Sequence, residues 1–129
     1  MKKLTTMTLI LLSTFAVAQE KQIWTCKQVA GTQLTWENGA WGQVSVEPTS
    51  ILLRLGGKYS SYRKLEEERL LDCSKALSGN VSCFDSLGSK LIYIDPTSGK
   101  MGRSTLFGAV QTGDSRSALA VEVYNCAKL

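Results

Sequence analysis

From Gln22 onward the apolar residues fall in short runs, many with a period of two, between clusters of Gly, Asn, Asp and Ser. That texture predicts consecutive short β-strands. The first run is Gln22 to Val29. Gly31 breaks it, and a second run, Thr32 to Glu37, leads into Asn38-Gly39. An Asn-Gly pair between strand-like runs is a strong hairpin signal, because both residues accept positive φ. With that pair as the loop, Glu37 faces Ala40 and Trp36 faces Trp41. Both indoles then share one face with Leu34. A bulge is expected at Gly42, since Val44 and Val46 otherwise point away from the face holding Trp41.

After Pro48, the residues Ile51, Leu53 and Leu55 share a face, followed by Gly56-Gly57 and the run Lys58 to Tyr62, a second hairpin. The stretch Lys64 to Leu77 reads differently. It is rich in helix formers, Glu66 is within reach of Arg69, and Leu70, Cys73 and Leu77 recur at helical spacing before Gly79, which predicts a short helix. Strand texture resumes over Asn80 to Phe84 and Lys90 to Ile94, turns through Asp95-Pro96-Thr97-Ser98-Gly99, and continues from Met101 to Gln111. In the last run, Ser117 to Asn125, the residues Leu119, Val121 and Val123 alternate with Ala118, Ala120 and Glu122 and are expected to form the buried face. Cys126 falls on the opposite parity, which that reading leaves to a local bulge. Seven or eight strands joined by short turns, with no helices alternating between them, predict an antiparallel sheet. A small closed barrel is favoured, with a two-sheet sandwich as the alternative.

The N-terminal residues change the compartment. Lys2-Lys3, an apolar run from Met7 to Phe15 and Ala16-Val17-Ala18 have the layout of a secretory signal peptide, with cleavage expected after Ala18. The apolar run is far short of the roughly 20 residues that span a bilayer. Cys26 lies well beyond the expected cut, which argues against a lipid anchor. The organisation predicted is a signal peptide over 1–18 and a single β-rich domain over 19–129, located in the periplasm or secreted. Loss of Lys2 and Lys3 takes the 15 basic side chains to 13 against 11 acidic ones, so the net charge falls from +4 to +2. Nothing in that balance points to nucleic acid.

Four cysteines in an exported chain favour two disulfides. Three connectivities are open. Cys26–Cys126 with Cys73–Cys83 is favoured, because the first pair lies in the first and last strands and the second brackets a short loop. There is no C-x-x-C pair and no histidine, so no metal site is predicted. The missing histidine also removes the commonest general base and the usual Ser-His-Asp or Cys-His arrangements. Carboxylates at Glu47, Asp72, Asp85, Asp95 and Asp114 could serve as an acid–base pair only if the fold brought two together. Asp95 before Pro96 and Asp114 after Gly113 read better as turn formers. Glu66-Glu67-Glu68 reads as a solvated helix start. No glycine-rich phosphate loop is present, so no cofactor is expected. Asn80-Val81-Ser82 fits the glycosylation sequon.

Trp36 and Trp41, with Tyr59, Tyr62 and Tyr93, are the side chains best able to contact a partner, weighed against a role in filling a small β core. The candidate ligand-binding residues are Trp36, Trp41 and Tyr93; no catalytic residue is assigned.

Taken together, Trp24-Thr25-Cys26, Val29-Ala30-Gly31-Thr32 leading to Trp36-Glu37-Asn38-Gly39-Ala40-Trp41, Val81-Ser82-Cys83-Phe84-Asp85-Ser86-Leu87-Gly88, Asp95-Pro96-Thr97-Ser98-Gly99, Leu106-Phe107-Gly108 and Cys126-Ala127-Lys128-Leu129 resemble a family of small uncharacterised exported proteins of Gram-negative bacteria. The resemblance implies a periplasmic or secreted location and carries no activity. In plan alone the chain is similar to the small disulfide-bearing periplasmic inhibitors of lysozyme. The function expected is a non-enzymatic binding module for a protein or an envelope glycan. The alternatives are a carboxylate-dependent glycan hydrolase and a carrier of a small apolar ligand.

Overall fold

The computed structural model describes residues 20–85, 89–106 and 118–129. The signal peptide expected over 1–18 and the turn expected at Asp114 lie outside them. Nine strands follow in chain order: β1 (Gln22–Glu37), β2 (Ala40–Ser45), β3 (Ser50–Leu55), β4 (Ser60–Lys64), β5 (Glu67–Lys75), β6 (Val81–Asp85), β7 (Lys90–Asp95), β8 (Lys100–Thr105) and β9 (Ala118–Lys128). Every pairing is antiparallel. Neighbours run β2-β1-β3-β4-β5-β6-β7-β8-β9, and β9 pairs back onto β1. Eight strands therefore close a barrel, which resolves barrel against sandwich, and β2 is the one added strand.

β1 makes this geometry possible. Its first half pairs with β3, Gln22 opposite Leu55 through Lys27 opposite Ser50, and its second half pairs with β2, Thr32 opposite Ser45 through Glu37 opposite Ala40. β9 follows the other edge of β1 along both halves. One 16-residue strand thus stands where the sequence suggested two runs broken at Gly31. The irregularity is a bulge between Gln28 and Ala30. Gly42 is not a bulge: it lies in register opposite Thr35, so Val44 simply points to the other face from Trp41. Asn38 and Gly39 both take positive φ, 51° and 78°, as the two-residue hairpin requires.

The helix expected over Lys64 to Leu77 is absent. Lys64 ends β4, Leu65-Glu66 form a two-residue turn, and Glu67–Lys75 is β5. Helix propensity amounts to tenths of a kcal/mol per residue. Here closure of the barrel outweighs it: the period-two set Glu67, Arg69, Leu71 and Cys73 points inward, and Cys73 lies directly opposite Cys83.

The interior changes character along the barrel axis. The end where β1 begins and β9 finishes, with the turns at 56–59, 76–80 and 96–99, is the base. It holds the apolar core, Trp24, Leu53, Leu55, Leu71, Val81, Ile94 and Met101, packed against two cystines, Cys26–Cys126 and Cys73–Cys83. Burial of that kind contributes about 1.5–3 kcal/mol per large side chain relative to exposure. Gly99 seals this end: its φ is +70°, and a Cβ there would stand 2.3 Å from the Cys126 carbonyl oxygen. Cys126 N–H in turn donates to Gly99 O at 2.7 Å. Two disulfides are consistent with an oxidising compartment.

Candidate functional site

Two regions carry side chains that the fold alone does not require: the outer wall formed by β2, β1 and β9, and the barrel end opposite the base, the mouth.

On the outer wall, the β1–β2 register sets Trp36 opposite Trp41, with ring centroids 5.4 Å apart in an edge-to-face arrangement. The β1–β9 register continues the surface through Leu34 beside Leu119, Thr32 beside Val121 and Ala30 beside Val123. Every one of these side chains is uncharged, and Trp41, Val121 and Val123 are 44%, 50% and 43% exposed. This overturns the expected polarity of β9. Leu119, Val121 and Val123 face outward, while Glu122 and Tyr124 are buried, on the same side as Cys126. Cys126 needs no bulge, because its parity is that of the true interior row. Tyr93 is half exposed on the outside of β7, with β8 and β9 between it and the tryptophans, and its hydroxyl accepts a hydrogen bond from Asn80 Nδ2 at 2.7 Å. Of the three candidate residues, the structure brings together Trp36 and Trp41 only. Tyr62, grouped with them from the sequence, is inside the barrel.

At the mouth the inward positions turn polar: Gln28, Lys64, Arg69, Asp85, Lys90, Arg103 and Glu122, with Tyr62 and Tyr124 as the floor. Arg103 is the centre. Its guanidinium carbon is 5.9 Å from each tyrosine ring centroid, and both its Nε and an Nη donate to Glu122. Buried ion pairs are costly to form and costly to break on one side only. The second Glu122 oxygen is 3.9 Å from Lys64 Nζ. Gly31 makes room for this arrangement, since a Cβ there would meet the Gln28 amide at 2.5 Å and Glu122 Cγ at 3.3 Å. Gln28 in turn accepts from the Thr49 backbone and hydroxyl. Burial, then the charge of Arg103, holds the Lys64 ammonium below its ordinary pKa, and burial pushes the Tyr124 hydroxyl up. A cavity of about 770 Å³ opens here, lined by Tyr62, Lys64, Lys90 and Arg103, with Leu65, Glu66 and Glu67 at its rim.

The carboxylates weighed for acid–base chemistry are dispersed. Asp85 accepts from Ser89 N, Ser89 Oγ and Lys90 N. Asp95 accepts from Ser98 Oγ and Thr97 N, bonds that hold its carboxyl below the usual range; it is the turn former expected. Glu47 and Asp72 are exposed. The acidic run is not a helix start: Glu67 points inward and accepts from Arg69 Nε at 2.6 Å, while Glu68 points outward to Ser61 and Arg54. Among the described residues no group of three or more acids or cysteines is placed to hold a metal ion, and no helix is long and apolar enough to cross a membrane.

The mouth cluster was missed from the sequence. Its signal was the parity of Cys126, which assigns Glu122 and Tyr124 to the interior. Carried across the register from Glu122, the same parity assigns Arg103 inward; from Cys83 through Ile92 it places Lys90 there too.

No family model, curated protein or solved structure matches this chain.

Proposed function

We propose that the protein is a non-enzymatic binding module of the periplasm or extracellular space, and that it takes a protein partner on the wall formed by β2, β1 and β9. The observation that carries this reading is the continuous uncharged surface from the Trp36–Trp41 pair to Val121 and Val123. Contiguous exposed apolar surface on a small domain marks an interaction site. The wall favours a protein over a glycan. The two indoles pack edge to face, so they do not offer a flat stacking platform, and the rest of the surface is aliphatic. The outer edge of β2, Ala-Trp-Gly-Gln-Val-Ser, is unpaired among the described residues and carries no charge and no proline, the devices that normally block strand addition, so an extended segment of the partner can pair there.

The hydrolase alternative finds less support. A general acid needs a raised pKa, whereas Glu67 is held below its ordinary value by the hydrogen bond from Arg69 and Glu122 is paired with Arg103. The apolar-carrier alternative is opposed by the linings of the two cavities: charged side chains at the mouth, and at the base, in a cavity of about 510 Å³, Glu20, Gln22, Ser60, Ser74 and Lys75 beside Leu55 and Val81.

A photo-crosslinker placed at Gln43 or Val121 in cells should give one discrete protein adduct, and Trp41→Ala should weaken it about tenfold. The same probe at Tyr93 should give none. No adduct from either wall position, an equally strong adduct at Tyr93, or an adduct with polysaccharide instead of protein contradicts the reading.

A further inference from the structure

Of the four cations at the mouth, two are held closely by a carboxylate among the described residues and two are not. Arg103 is neutralised by Glu122 and Arg69 by Glu67. Lys64 leans toward Glu122 only at 3.9 Å. Lys90 has no carboxylate within ion-pair distance among the described residues; its ammonium lies 5.5 Å from the Tyr62 ring centroid. The Tyr62 hydroxyl is buried without a hydrogen-bond partner among the described residues, in a side chain that is 2% exposed and lines the cavity. A buried hydroxyl left without a partner is costly, so the site as it stands lacks an acceptor for the Tyr62 hydroxyl.

We propose that this cavity is a binding site for a phosphate-type oxyanion, with Lys64 and Lys90 as ammonium donors and Tyr62 as hydroxyl donor. The donor set selects the class. The Arg103 fork, which suits a planar carboxylate, is already occupied by Glu122. What remains are two compact point charges and a phenol, which suit a tetrahedral oxyanion with several acceptor oxygens. The charged form of Lys64 is disfavoured first by burial and then by Arg103 and Lys90, and an anion beside it offsets the repulsion from those two cations. Glu66 at the rim opposes an anion and keeps the site selective for a ligand that can reach the donors beneath it. The oxyanion can be free phosphate or a phosphate monoester. The proposal does not rest on the outer-wall reading.

The test is a titration of the disulfide-bonded protein, isotopically labelled, with inorganic phosphate, glycerol phosphate and acetate at constant ionic strength, read by NMR. Expected are saturable shifts confined to the mouth, about tenfold weaker phosphate binding in Lys90→Gln, several-fold weaker binding in Tyr62→Phe and tighter binding in Glu66→Gln. Acetate should bind less tightly than phosphate, and Trp41→Ala should leave the affinity unchanged. Tighter binding of glycerol phosphate than of phosphate assigns the site to a phosphorylated molecule, and the reverse assigns it to the free ion. Non-saturating shifts, shifts centred away from the mouth, or a Lys90→Gln variant that keeps wild-type shift changes and affinity overturn the proposal.

Discussion

The two ends of the barrel are built from the same strands and the same inward row, yet they spend their residues differently. At the base the row is aliphatic, aromatic and cystine, with Leu53, Ile94 and Cys26 fully buried. At the mouth the same row becomes Lys64, Lys90, Arg103 and Glu122. Burial at the base contributes directly to stability. At the mouth, desolvation of the charges roughly cancels their attraction. The contrast separates the end that holds this fold from the end where we propose an anion binds.

The contrast is sharpest in what breaks each end. Replacing Cys26 and Cys126 together with serine removes a link across a sequence separation of 100. It should lower stability by about 4–5 kcal/mol in the chain-entropy account, read from urea unfolding. Replacing Cys73 and Cys83, whose separation is 10, should cost about 3 kcal/mol; a larger loss there would invert the ranking of the two links. At the mouth, Arg103→Met leaves Glu122 buried without its main partner and should cost on the order of 3 kcal/mol or more. Adding Glu122→Leu should recover most of that loss. A double variant as unstable as the single would mean that the pair supports the fold.

Smaller in effect is Gly99→Ala. Positive φ and the approach of the Cys126 carbonyl should together cost about 2–3 kcal/mol in the same unfolding experiment. The smallest effect is in pH. Lys64 faces Arg103 on β8, Glu122 on β9, Lys90 on β7 and Glu67 on β5, and its folded pKa lies below the ordinary 10.5. Between the folded value and 10.5 the unfolded chain therefore holds more protons at this group than the folded one does. Its contribution makes stability rise with pH through that window, and Lys64→Met should remove the rise. A fall through the same window that depends on Lys64 would reverse the electrostatic assignment.

How much of this was legible in the sequence depends on which signals are local. The Asn38-Gly39 hairpin, the Gly56-Gly57 turn and the Asp95 turn were readable because turn chemistry is decided within a few residues. The favoured cysteine pairs followed from strand order. Residues 64–77 misled because Glu, Lys, Leu and Arg suit a helix locally, whereas closure of the barrel, a long-range constraint, makes them a hairpin. β9 misled because apolar alternation was taken to mark the inside. In this barrel the outer wall is apolar and the mouth is charged, and only Cys126, tethered to Cys26, carried the true parity. The Trp36–Trp41 pairing was legible; which neighbours would extend it was not, because Val121 and Val123 arrive through the closing pairing of β9 with β1.

The measurement that tests this division most directly is the urea unfolding midpoint of the wild-type protein and of Lys64→Met/Lys90→Met, each across a series of phosphate concentrations at constant ionic strength. Without phosphate the variant should unfold at or above the wild-type midpoint, since the mouth lysines do not hold the fold. Phosphate should raise the midpoint of the wild type and leave the variant unmoved, as linkage demands of a ligand that binds only the folded state. A variant less stable than wild type by about 2 kcal/mol or more, a scale characteristic of lost structural interactions, or a wild-type midpoint indifferent to phosphate would contradict the account.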